Sequence, residues 1–156
     1  MSSGNGNLKV VTGHAEPEQV EWSERLEIGV PLIDGQHRQF FELATRLSGD
    51  GNQVRVMSSL ALLSRYVKVH FRDEEALMAA YNYPGIETHR QLHQEFRFML
   101  ADMLERSRKM TLDQIAEEVA RLVSGWLHLH ILTVDLEYVP HVRKAQRRGA
   151  GDGHAR

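Results

Sequence analysis

Apolar residues along the chain recur three and four positions apart in four blocks, each closed by turn-forming residues, and they hardly ever alternate as a strand requires. The first block carries Phe40, Phe41, Ala44 and Leu47, with Asp34 placed to cap it, and stops at Gly49-Asp50-Gly51-Asn52. The second runs through Val56, Leu60, Leu63, Val67, Phe71, Leu77 and Met78 and ends near Tyr83-Pro84-Gly85. Thr88 and Gln91 have capping-box spacing for a third helix bearing Leu92, Phe96, Met99, Leu100 and Met103, which gives way near Ser107. Thr111 and Gln114 repeat that spacing for a fourth, with Ile115, Val119, Leu122, Val123, Trp126 and Val134, terminated at Pro140. Connections this short make neighbouring helices antiparallel. The pattern therefore predicts an all-α fold, an up-down-up-down four-helix bundle with an N-terminal arm.

The bundle occupies residues 20–140. Residues 1–33 have no clear helical period: 1–19 read as a flexible tail, and Trp22, Ile28, Val30 and Leu32 are candidates to lie against the bundle. Residues 141–156 are basic and contain glycine, a composition that buries little surface, so they too read as a flexible tail. A length of 156 residues fits one domain, and 42% hydrophobic with 26% charged residues is ordinary for a soluble chain. A net charge of -2 sets up no field to draw nucleic acid or anionic lipid. No apolar run approaches the roughly 18 residues of a membrane span, and the first residues lack a secretory core, so a cytoplasmic location is the expectation. The absence of cysteine excludes disulfides, thiolate metal sites and a cysteine nucleophile.

Nine histidines are the unusual feature, and several interrupt the apolar stripes. His70 lies three residues after Val67, and Glu74 one turn further on. His89 and His93 flank Leu92; His130 follows Trp126 by four; His37 precedes Phe41 by four; Asp135 sits beside Val134. Any one of these could be a hydrogen-bonded core residue. Seven inward polar groups, each costing about 1 to 3 kcal/mol if unpaired, need something that satisfies them together. In the predicted topology all seven fall within about 16 Å of one end of the bundle. Imidazole and carboxylate without thiolate suit iron, zinc, copper or nickel. Seven donors are too many for one tetrahedral zinc and about right for two ions sharing two bridging carboxylates. His130 and Asp135, five residues apart, are about 140° apart on an α-helix and so should not hang side by side.

The same residues resemble the hemerythrin family, specifically the single-domain bacteriohemerythrins. The matching segments are Trp22, Gly29-Val30-Pro31-Leu32-Ile33-Asp34-Gly35-Gln36-His37, His70-Phe71 with Glu74-Glu75, His89 with His93, and Trp126-Leu127 with His130-Ile131 and Asp135, across about residues 20–140. The resemblance implies two non-heme iron ions with a bridging oxo or hydroxo group. His89, His93 and His130 would hold one iron and His37 and His70 the other, with Glu74 and Asp135 bridging. It implies reversible O2 binding at the less saturated iron, under a pocket of Phe71, Trp126, Leu127 and Ile131, and places Tyr138 near the bridge. Read without the family, Phe71 and Trp126 are ordinary core residues. His14, His128, His141 and His154 stand outside the pattern, and Glu75, about 100° round from Glu74, reads as a surface group or one behind a ligand.

An oxygen carrier, used for storage or delivery and with no catalytic residues, is thus the expected function, and a monomer the expected form. Two alternatives stay open: an oxygen or redox sensor acting through a separate signalling partner, and a di-iron oxidase or peroxidase. Against the oxidase, no histidine has a glutamate three residues before it, as the Glu-x-x-His sites of ferritin-like bundles require. His-Glu-x-x-His is also missing, which disfavours a zinc protease.

Overall fold

A computed structural model of the protein describes residues 21–48 and 51–151, the last two by backbone only. The segment 1–19, read above as a flexible tail, lies outside the described residues. A turn of 3-10 helix at Glu24–Leu26 leads into four long helices: α1 (Pro31–Leu47), α2 (Gln53–Ala80), α3 (Ile86–Ser107) and α4, residues 112–151. α1 packs on α2 and α4, α2 packs on α3, and Phe96 of α3 meets Trp126 of α4, which closes the up-down-up-down bundle. Phe40, Phe41, Leu60, Leu63, Phe96, Met103, Ile115 and Val119 fill its axis. No helix among the described residues is long and apolar enough to cross a membrane.

Where the helices begin departs from the sequence reading in two places. α1 starts at Pro31, whose fixed φ suits the first helical position and whose missing N–H costs nothing there. Asp34 therefore sits inside the first turn, and its carboxylate reaches back to accept the amides of Ile28 (2.7 Å) and Gly29 (3.0 Å). The turn needs Gly29, which has φ +80°. Ile28 is buried, Trp22 and Val30 pack partly against the core, and Leu32 is exposed instead. α3 likewise begins at Ile86, ahead of Thr88, because the Tyr83-Pro84-Gly85 turn has already aligned the backbone: the amide of His89 donates to the Gly85 carbonyl. Thr88 caps nothing. The Thr111–Gln114 capping box does form, with both reciprocal bonds.

The fourth helix does not stop at Pro140 but runs on to Gly151. Proline inside a helix costs about 3 kcal/mol. Pro140 is exposed, so water can meet the carbonyl it leaves free, and the following turn is anchored. Val139 and Val142 are buried, His141 Nε2 donates to the Tyr81 carbonyl (2.8 Å) and Arg143 to that of Ile28 (3.3 Å). Two stretches of α4, Arg121–Leu127 and Ile131–Asp135, have π-helical hydrogen bonding.

Candidate metal centre

Each helix delivers its share of polar side chains to one end of the core: His37 from α1, His70 and Glu74 from α2, His89 and His93 from α3, His130 and Asp135 from α4. All seven are buried. Their donor atoms fall into two groups that share one carboxylate, Glu74 with His89, His93 and His130, and Glu74 with His37 and His70; within each, the atoms lie within 4.8 Å of one another. Asp135 spans both groups. Its Oδ1 is 3.0 Å from His130 Nε2 and 3.3 Å from His89 Nε2, while its Oδ2 is 3.3 Å from His37 Nε2.

All five imidazoles turn Nε2 toward the shared space. His37 and His70 are 3.2 Å apart at Nε2, His89 and His93 3.0 Å, and His89 and His130 3.2 Å. Nitrogens about 2.1 Å from one ion and at right angles to each other would have that separation of about 3 Å. The carboxylates give a second sign. Glu74 Oε2 and both oxygens of Asp135 are buried without a hydrogen bond, although imidazole nitrogens lie 3.0 to 3.4 Å away. Buried carboxylate oxygens are not normally left orphaned. An arrangement with nitrogen and oxygen lone pairs facing a common space is what a pair of cations satisfies, so the residues present fit a two-metal site.

The His130–Asp135 contact overturns the expectation that these two cannot hang side by side. In the π stretch Ile131–Asp135 the backbone bond runs from i to i+5, so residues five apart stack as residues four apart do in an α-helix. A His-x-x-x-x-Asp spacing on an inward helical stripe was the available signal. Trp126, at the end of the other π stretch, stacks on the His130 ring at 4.4 Å and 14°.

Electrostatics inside the cluster are mutual. Burial and the nearby Asp135 charge push the Glu74 carboxyl up, but His70, His89 and His93 outweigh them and hold it below the usual carboxylate range. Burial also raises Asp135, and the imidazoles of His130, His37 and His89 crowded against it more than reverse it. Burial depresses His70 to about 3 despite Glu74 beside it. At His89 burial is overcome by Asp135 and Glu74, which lift it to about 9. Tyr138, buried beside Glu74 and Asp135, is raised above the usual phenol value.

Around the seven lie groups of two kinds. Apolar rings lie on ligand faces: Phe71 stacks on His93 (3.7 Å, 7°), and Trp126, stacked on His130, is half-buried against Phe96; Leu127 and Ile131 are buried on the same helix as His130. Polar ones hold the outer edges of ligands. Gln36 Oε1 accepts from His70 Nδ1 (3.0 Å), and its amide nitrogen donates to Asp73 (2.8 Å). Glu75 accepts from His93 Nδ1 (2.9 Å). Sequence reasoning missed Gln36 and Asp73, whose pairing across 37 positions has no local signature. His128 is half-buried and belongs to neither donor group.

A four-helix bundle closed around two buried donor groups of histidine and carboxylate defines a metal-binding helical domain. The comparisons narrow it: residues 28–142 match the model of the family described as Hemerythrin, the hemerythrin HHE cation binding domain. Myohemerythrin-1 of Phascolopsis gouldii is 31% identical over 125 residues, 78% of this chain and 93% of that protein. A bacteriohemerythrin of Stenotrophomonas maltophilia is 30% identical over 125 residues, 78% of this chain and 80% of its own. A crystal structure of wild-type hemerythrin superposes with a TM-score of 0.70 at 26% identity, covering 79% of this chain and 97% of that one. The chain belongs to the hemerythrin family.

Proposed function

We propose that the protein binds O2 reversibly at a non-heme di-iron centre, as a storage or delivery protein and not as an enzyme. In this reading His89, His93 and His130 hold one iron, His37 and His70 the other, and Glu74 and Asp135 bridge the two beside an oxo or hydroxo group. The observation that carries it is the unequal division of donors: two buried groups share a carboxylate, one with three imidazoles and the other with two. When bound, a pair of ferrous ions supplies the electrons and the open coordination position that O2 requires.

The protein's own side chains do the rest. Phe71, Leu127, Ile131 and Trp126 keep water and protons out, so a small neutral diatomic is admitted and can leave unchanged. Gln36 fixes the ring of His70, and the Tyr138 hydroxyl donates to Glu74 Oε1 and fixes that carboxylate. The donor set favours a carrier over an oxidase: five neutral imidazoles and two carboxylates put less negative charge on the metals than the glutamate-rich oxidase sites do.

The test is anaerobic loading with Fe(II), a count of iron per chain, then admission and purging of O2. Two irons and a visible band that appears and disappears with the gas support the reading. Irreversible bleaching with release of peroxide would place the chain among the oxidases instead.

A further inference from the structure

Two ligands of the proposed centre have outer partners of different charge. His70 Nδ1 donates to the neutral amide of Gln36, whereas His93 Nδ1 donates to the carboxylate of Glu75. Glu75 is gripped in turn from the surface. Arg97 Nη2 donates to the same carboxylate oxygen (3.0 Å), and Arg90 Nε lies 3.8 Å from the other. The Arg97 guanidinium also lies 5.1 Å from the centroid of the Phe71 ring, which is the ring stacked on His93. One half-exposed arginine thus touches both the group at the edge of the His93 imidazole and the group on its face, while His93 itself is buried.

A carboxylate accepting the outer N–H draws that proton away and raises electron density at the opposite nitrogen, which strengthens it as a ligand; a neutral amide does so less. A guanidinium bonded to the carboxylate withdraws part of that charge. We propose that Glu75 and Arg97 are opposed positioning residues that together set the donor strength of His93, and so how strongly the three-histidine side of the centre favours oxidised metal. The inference rests on the di-iron reading above.

The test uses the full chain and its Glu75→Gln and Arg97→Met variants, each loaded anaerobically with Fe(II). Three quantities are read: iron retained against a chelator, the midpoint potential by spectroelectrochemical titration, and the melting temperature of the metal-free chain. Glu75→Gln is expected to retain iron about 10- to 100-fold more weakly and to raise the midpoint. Arg97→Met, which frees the carboxylate charge, is expected to lower it. Opposite signs are the signature, because loss of fold or packing would move both variants the same way. If Glu75→Gln does not fold, Arg97→Met decides alone: a lowered midpoint supports the proposal, and an unchanged or raised one overturns it. Wild-type protein that takes up no iron defeats the di-iron reading itself, whereas normal wild-type loading with midpoints that match in all three chains defeats only this inference.

Discussion

The phenolic hydroxyl of Tyr138 donates to Glu74 Oε1 at 2.8 Å, tying the last long helix to the second across 64 positions of sequence. Both groups are buried, so no water stands ready to replace either. Tyr138→Phe leaves a buried carboxylate oxygen without its donor and should cost about 1 to 3 kcal/mol. Urea unfolding of the metal-free chain measures this. A variant as stable as wild type would mean that the oxygen finds another donor.

Filling the centre should stabilise the whole fold. Glu74 Oε2 and both Asp135 oxygens are orphaned, and a cation is the partner they lack. A ligand at about 1,000 times its dissociation constant adds about 4.1 kcal/mol. Calorimetry with and without Zn(II), which avoids redox chemistry, should show a clear rise in melting temperature with metal. Coincident melting curves would count against a site formed by these residues.

Leu127 is 2% exposed and sits between Trp126 and the turn that carries His130. Leu127→Ala should cost about 2 to 5 kcal/mol through the cavity it leaves. It should also admit water to the centre and speed autoxidation of the oxygenated form. Decay followed optically in both proteins at one temperature checks the second effect, and equal decay rates would remove Leu127 from the proposed O2 pocket.

The metal-free chain should be most stable near neutral pH. Burial lowers His70 from 6.5 to about 3, so between those values the unfolded chain takes up a proton that the folded one does not, and stability rises with pH. His89 is raised from 6.5 to about 9, so over that interval the folded chain keeps a proton that the unfolded one releases, and stability falls as pH rises. The lowered carboxyls of Glu74 and Asp135 add to the acid-side loss. The optimum is therefore expected near pH 6.5 in denaturant titrations of the metal-free protein. A profile still climbing from pH 7 to 9 would contradict the assignment of His89.

Thr111→Ala separates stability from metal binding. The capping box opens α4 at the end of the bundle away from the histidines, and its loss should cost about 0.5 to 2 kcal/mol. Metal uptake should be unchanged. A variant that folds but binds less metal would show that the two ends of the bundle are coupled.

Four amphipathic stripes, the Thr111–Gln114 box and the stop near Ser107 were legible in the sequence because each depends on neighbours within a turn or two. The inward placement of the seven polar residues was legible for the same reason, since a stripe records which side of a helix faces the core. Boundaries set by distant contacts were not. Pro140 stays within α4 because Val142 is buried and His141 and Arg143 reach across to Tyr81 and Ile28. The start of α1 was missed although its cause is local: Pro31 suits the first helical position, and Asp34 within that turn binds amides only five and six residues back.

The chain's local order thus fixed which helices form and which side chains turn inward, since hydrophobic period and capping act over a few residues. Tertiary structure alone decided how those side chains meet: the π stretch that swings Asp135 beside His130, the Gln36–Asp73 pair behind His70, and the Glu75–Arg97 clamp behind His93. Each of these depends on atoms brought together by packing between helices, or on a helical hydrogen-bond shift that such packing holds in place.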